Sequence, residues 1–333
     1  MYTFKILTVT KDEYDLIEDF ILYHGSHFGY DNIIIIDNGS THPHVLEIYE
    51  TYKPKGIQVF VEYGYHEQGI HFTKYIQQVK DQCDWCIPLD TDNFLTVSGE
   101  TTELRKRLSD LLSGFPDEVD ILNVSQHMSV YHLSDRLQAD RPARELIYWW
   151  YPTLPQPSGV HIARAKNFVS TGPGTHTMNS LHNHVRFCPQ IELFHYHCVG
   201  AKRTIERART IVIGYHYISV DDNDFTIFRK LSDIYPYSNG FHRIDQYRNF
   251  IHKKIICDWF IQTHHRLPTL SELHDSVEHV NLDTIGHVPP ASFHTNPDMF
   301  TRYEQLLYHN SPVDVTHFSR NTAVRDYLES LKT

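Results

Sequence analysis

Four consecutive isoleucines, Ile33 to Ile36, admit few structural solutions. A short, unbroken, β-branched run reads as a strand buried on both faces, the environment inside a parallel sheet. The surrounding sequence repeats the theme. Phe4 to Val9, Ile57 to Val61 and Trp85 to Leu89 are further apolar runs. Between them, Leu16, Ile17, Phe20, Ile21 and His24 recur at helical spacing, and His44 to Tyr52 and His71 to Gln82 read as two more helices. Thr10-Lys11-Asp12-Glu13 matches a capping box for the first helix, which is expected to end near Gly25 or Gly29. The order β-α-β-α-β-α-β predicts an α/β fold: a doubly wound, mostly parallel sheet flanked by helices.

Right-handed crossovers bring the strand C-termini to one edge of such a sheet, where ligands bind. Thr10, Asp37 and Asp90 fall at those ends and outline a site. Farther on, Val119 to Val124 and Ile191 to His197 read as strands, while Pro152 to Pro157 and Thr171 to Gly174 are loop-forming. Beyond about Gly214 the pattern is helical, including Gln246 to Thr263 and Val315 to Lys332. A chain of 333 residues accommodates one large domain and a smaller appendage. The division is expected at residues 1–215 and 216–333.

A formal net charge of −11 argues against nonspecific binding to nucleic acid or anionic membranes. It also leaves a phosphorylated ligand in need of local positive charge, which a divalent cation held by carboxylates supplies. No N-terminal segment has the pattern of a signal peptide, and no run reaches the roughly 18–20 apolar residues of a membrane span. The protein is therefore expected to be soluble and cytoplasmic. Five cysteines do not describe a disulfide framework. Cys83-Asp84-Trp85-Cys86 is formally a CxxC, but it precedes a strand rather than opening a helix.

The chemistry centres on Asp90-Thr91-Asp92, delivered by the apolar run that ends at Leu89. In extended backbone, side chains two apart share a face. Two carboxylates so placed can meet one hard cation, which prefers oxygen donors and keeps phosphate oxygens in its shell.

Several ordered segments resemble family 2-like and family 92-like glycosyltransferases. Lys11-Asp12-Glu13, then Tyr23-His24 and Gly29, then Ile35 through Ser40 are similar to that family's opening. Asp84-Trp85 followed by Asp90-Thr91-Asp92-Asn93-Phe94-Leu95 is similar to its D-W-x-x-x-x-D-x-D-E-F-L segment. The likeness spans roughly residues 3–215, with two departures: Asn93 stands where Glu is usual and Phe20 where Trp is common. The resemblance implies a GT-A-type nucleotide-sugar domain over residues 1–215 with a mainly helical C-terminal extension. It implies Mn2+ or Mg2+ on Asp90, Asp92 and His195, with His197 in reserve, and Asp92 as the catalytically essential carboxylate. Thr8, Thr10, Asp37, Asp90 and His176 would bind the nucleoside-diphosphate sugar, His176 by its place at the end of the Lys166 to His176 segment. The expected activity is sugar transfer to the hydroxyl of a glycan or glycoconjugate acceptor. An inverting enzyme needs a carboxylate base, and Asp135, Asp140, Glu145 and Glu192 are the candidates. Arg203, Arg207 and Arg209 read as a solvated helix face.

Other readings are a nucleotidyltransferase, a metal-dependent hydrolase or a noncatalytic sugar-binding module. The first lacks its phosphate loop, since Val9-Thr10-Lys11-Asp12-Glu13 contains no glycine. The second lacks an acidic residue immediately after His195-Tyr196-His197. The third predicts binding insensitive to chelators.

Overall fold

The computed structural model describes residues 1–63, 67–131, 147–152, 160–172, 177–196, 201–235, 242–282, 297–308, 319–320 and 323–331. His176, His197, Asp135, Asp140, Glu145 and residues 153–157 of the expected Pro152 loop lie outside them. The chain forms two compact units: residues 1–132, 140–199 and 314–333 make the first, and 133–139 and 200–313 the second.

The first unit is built on strand β1 (Phe4–Thr10), buried along its whole length. It lies between β2 (Ile33–Asp37) and β4 (Trp85–Pro88), parallel to both, and β3 (Gln58–Val61) pairs parallel with β2 on the outside. The helices between these strands are α1 (Ile17–Phe28), α2 (Pro43–Tyr52) and α3 (Gln68–Val79). This is the predicted alternation, with strand order β3-β2-β1-β4. Ile33 and Ile35 join one core with α1 and α2, while Ile34 and Ile36 join another with α3, so the isoleucine strand is covered on both faces.

Beyond β4 the sheet becomes mixed. β5 (Asn93–Val97) leaves the β4 path and pairs antiparallel with β11 (Val185–His195), which runs parallel to β6 (Ile121–Tyr131). β8 (His161–Arg164) lies antiparallel between β4 and β6, and β7 (Ile147–Pro152) pairs with β6. β9 (Phe168–Thr171) and β10 (Met178–Ser180) form a separate hairpin, and α4 (Leu104–Ser113) contributes Leu104, Leu108 and Leu112 to the first core.

Two local expectations differ from the structure. Thr10 completes β1 rather than capping a helix, and α1 starts at Ile17 with no side-chain cap. Asp12 is in the left-handed region, with φ 50°, and its Oδ1 accepts from the amides of Thr41 and His42. It ties the β1–α1 loop to the β2–α2 loop. The second difference is in Val315 to Lys332, expected as one helix. There a strand (Ser319–Arg320, β12) pairs with β7, and a shorter helix (Ala323–Ser330) packs on α1. Tyr327 of that helix stacks on His27 at 4.2 Å and donates to Ser26 Oγ.

Among the described residues the second unit consists of helices: α5 (Ala201–Gly214), α6 (Asp224–Ile234), α7 (His242–His264), α8 (Leu270–His279) and α9 (Pro297–Leu307). Their core gathers Val212, Leu231, Ile251, Ile255, Leu273 and Leu307. Inside it Tyr303 donates to Asp258 at 2.6 Å, and Lys254 bonds Asp224 and Asp258. The helix Ala323–Ser330 of the first unit is α10. Among the described residues no helix is long and apolar enough to cross a membrane.

His24 provides a test of the α1 packing. The ring is fully buried, Nδ1 bonded to the Phe20 carbonyl at 3.0 Å and the plane near-parallel to Phe94. Burial, outweighing that hydrogen bond, pushes its pKa down from 6.5 to about 3. Burial likewise takes His27 to about 4. The unfolded chain therefore binds protons that the folded chain refuses as pH falls below 6.5, so this stability is present above 6.5 and lost towards 3. Between pH 7 and 5, His24 alone is expected to remove about 2 kcal/mol. In urea titrations His24→Phe should flatten this decline; equal declines in both proteins would contradict a buried neutral ring.

Candidate active site

Parallel register brings three strand ends together. Thr10 lies beside Asp37, and Leu7 beside Pro88, with the Leu89 amide donating to the Leu7 carbonyl. β1 is also where the strand order reverses, since β2 and β3 extend to one side and β4 to the other. Clefts in open α/β sheets form at such a switch.

Alternation then distributes the side chains. Thr8 and Thr10 share a face with Phe4 and Ile6, towards α1 and α2. Both hydroxyls are buried without a hydrogen-bond partner among the described residues, and Thr8 is fully enclosed. Asp37 is also buried, and its carboxylate closes its own turn. It accepts from the Ser40 amide at 2.9 Å, from the Ser40 hydroxyl, and from Tyr49 Oη at 3.2 Å. Burial, reinforced by Asp37, pushes the Tyr49 phenol far above its ordinary range and keeps it a donor.

The strand rule does not describe Asp90 and Asp92. The i, i+2 rule holds for extended chain, but the backbone turns at Thr91-Asp92, closed by the Asn93 amide on the Asp90 carbonyl. Asp90 accordingly meets α3, where Gln68 Nε2 donates to Oδ1. Asp92 meets β11: His195 Nε2 stands 3.2 Å from Asp92 Oδ1, and both side chains are nearly buried. The pair is fixed from three sides. The Tyr196 amide donates to the Asp92 carbonyl at 2.7 Å, β5 and β11 place His195 opposite Asn93, and Gln126 Nε2 donates to His195 Nδ1 at 2.7 Å. Gln126 reaches the ring diagonally, since its register partner on β11 is Leu193.

Of the expected metal donors, the structure thus joins Asp92 with His195 and holds Asp90 against Gln68. Among the described residues, no three His, Cys, Asp or Glu side chains converge as a metal-binding group. Asn93, the departure from the resembling family, is fully buried with neither amide atom partnered among the described residues. Glu192 lies on β11 three residues before His195, hence on the opposite strand face. Arg203, Arg207 and Arg209 belong to α5 in the second unit. The sequence reading missed Gln68 and Gln126. Neither stands in a motif, and only the strand register signals Gln126.

No protein-family model matches the sequence, and no curated protein matches it significantly. Solved structures resemble it distantly. The S. aureus TarS 1-349 fragment is 12% identical over 79% of this chain and 86% of that one, with a TM-score of 0.37. Glucosyl-3-phosphoglycerate synthase from Mycobacterium tuberculosis, solved with Mg2+ and uridine diphosphate, is 15% identical over 58% of this chain and 71% of its own, with a TM-score of 0.34. A cytidylyltransferase from Leptospira borgpetersenii is 15% identical over 37% and 54%, with a TM-score of 0.27. Likeness this remote says nothing about chemistry.

α3 reaches Asp90 through a close approach at Gly69. A Cβ there would come within 2.7 Å of Gly172 C, 2.8 Å of Gly172 O and 2.9 Å of Thr171 O, all backbone atoms. Thr73 reinforces the contact by accepting from the Thr171 amide at 3.0 Å. Gly69→Ala is expected to cost about 1–3 kcal/mol by overpacking, measured as a lower urea midpoint. An unchanged midpoint would rule out the approach.

Proposed function

We propose that this chain is a GT-A-type glycosyltransferase that moves a sugar from a nucleoside-diphosphate sugar to an acceptor hydroxyl on a glycan or glycoconjugate. The observation that supports it is the Asp92–His195 pair at the sheet's switch point. Adjacent donors around an octahedral cation at about 2.1 Å lie about 3 Å apart. The 3.2 Å between Asp92 Oδ1 and His195 Nε2 is close to that separation; the carboxylate suits Mn2+ or Mg2+, and the imidazole nitrogen favours Mn2+ of the two. Asp90, on the Gln68 amide, is the third donor of the proposed set.

When bound, such a cation neutralises charge developing on the departing nucleoside diphosphate. The chain's own groups prepare for this. The Tyr196 amide fixes the Asp92 backbone, so its carboxylate needs little reorganisation. Gln126 holds the His195 ring by donating to Nδ1. Exchange of the amide ends would let Gln126 accept from Nδ1–H instead, leaving the Nε2 lone pair for a ligand. Thr10 and Asp37 are assigned to the nucleoside side of the cleft, with Thr8 beneath them. The carboxylate oxygens of Asp37 retain acceptor capacity beyond Ser40 and Tyr49.

Asp92→Ala is expected to lower sugar transfer by about 100-fold or more while leaving the far-ultraviolet circular dichroism unchanged. Wild-type protein should gain thermal stability from its nucleotide sugar only with Mn2+ or Mg2+ present, by about 2.7 kcal/mol at a hundredfold excess over Kd. A panel of nucleotide sugars with and without chelator measures this. Undiminished transfer by Asp92→Ala, or transfer indifferent to chelator, would overturn the assignment.

A further inference from the structure

The opposite end of β4 carries an arrangement that sugar transfer does not use. In a regular strand, residues three apart face opposite sides. Cys83 and Cys86 are three apart, yet their sulfurs lie 3.5 Å from one another. The backbone between them explains it. The amides of Asp84 and Trp85 both donate to the Thr3 carbonyl, at 3.0 and 3.2 Å, which inserts an extra residue as a β-bulge does. That half-step turns Cys83 to the face of Cys86. The irregularity is anchored on both sides. Thr3 N and Thr3 Oγ1 each donate to Asp84 Oδ2 at 2.7 Å, and the Ala165 amide donates to the Asp84 carbonyl at 2.8 Å.

The two sulfurs differ in access. Cys86 is fully buried between Lys5 of β1 and Ala163 of β8, whereas Cys83 is partly exposed beside the end of α3. They differ in acidity in the same sense. The Cys86 thiol bonded to Cys83, with Lys5 adding to it, holds Cys83 below its ordinary value against the effect of burial. That same bond, together with burial, pushes Cys86 well up. At about 3.3 Å per residue, Asp90 lies about 13 Å along the chain from Cys86, so this pair stands apart from the candidate donor site.

We propose that Cys83 and Cys86 form a redox-active dithiol that oxidises reversibly to an intramolecular disulfide, with low-molecular-weight disulfides such as glutathione disulfide as the oxidant. The Cys83 thiolate attacks one sulfur of glutathione disulfide, forming a mixed disulfide and releasing one glutathione thiolate, which takes up a proton. The Cys86 thiol, giving its proton to solvent, then attacks the Cys83 sulfur and expels the second glutathione. Two electrons pass from the cysteine pair to glutathione disulfide, and an excess of reduced glutathione reverses both steps.

The test treats the folded full chain with glutathione disulfide, followed by peptide mapping and thiol titration. The expected product is a Cys83–Cys86 disulfide with a loss of two titratable thiols, restored by dithiothreitol, while buried Cys188 and Cys257 stay reduced. Cys86→Ala should stop at glutathionylated Cys83, and Cys83→Ser should leave Cys86 unmodified. Circular dichroism confirms that each variant is folded. Wild-type protein that keeps both thiols, or that accumulates stable mixed disulfide at Cys83, would overturn the proposal, as would a disulfide from Cys83 or Cys86 to any other cysteine.

Discussion

The position of β1 between two parallel neighbours governs everything at the strand ends. A strand buried on both faces and bonded on both edges cannot slip, because a one-residue shift would exchange its two core faces. Thr10, Asp37 and the chain leading to Asp90 therefore come to a common edge with a fixed offset. The strand order reverses beside β1, the position at which open α/β sheets take their ligands. Apolar packing sets the location, and the polar groups inherit it.

The second half of the site depends on a different device. β5 departs from the parallel layer and is held by β11, and Tyr23 Oη donates to the Leu95 carbonyl at 2.6 Å from the α1 side. Phe94 packs edge-on against Tyr196 at 5.0 Å. A carboxylate on the turn that opens β5 and an imidazole at the end of β11, from segments about a hundred residues apart, thus meet where two paired strands hold the turn, an arrangement that favours preorganised electrostatics. Asp90, on the other branch, is bonded to Gln68 of α3, whose approach to the end of β9 depends on the absence of a side chain at Gly69.

The layout of the first four strands was legible in the sequence because each is an apolar run in a parallel sheet, and burial on both faces leaves an unambiguous trace. The convergence of Thr10, Asp37 and Asp90 followed from that order. Elements that depend on distant partners were less legible. The capping-box letters at Thr10 to Glu13 were read locally, but β1 extends through Thr10 and Asp12 is used to join two loops. Val315 to Lys332 carries apolar spacing compatible with a helix, yet Ser319–Arg320 pairs with β7, a contact no local pattern reveals. Asp90 and Asp92 were placed on one face by the strand rule, which lapses where the chain turns at Thr91. Gln126 and Gln68 were invisible because an amide acquires its role only from what the fold sets beside it.

The first unit is closed by a segment that follows the second unit in sequence. β12 and α10 supply an outer strand and the cover over α1, and the described helices of the second unit precede them in sequence. A nascent chain would thus carry an incomplete α/β layer, with Tyr23 and His27 lacking Tyr327, while the helical unit emerges and folds. Most of the helical unit lies in one stretch, 200–313, whereas the first unit must wait for 314–333, the interval in which an unfinished sheet is most exposed to mispairing.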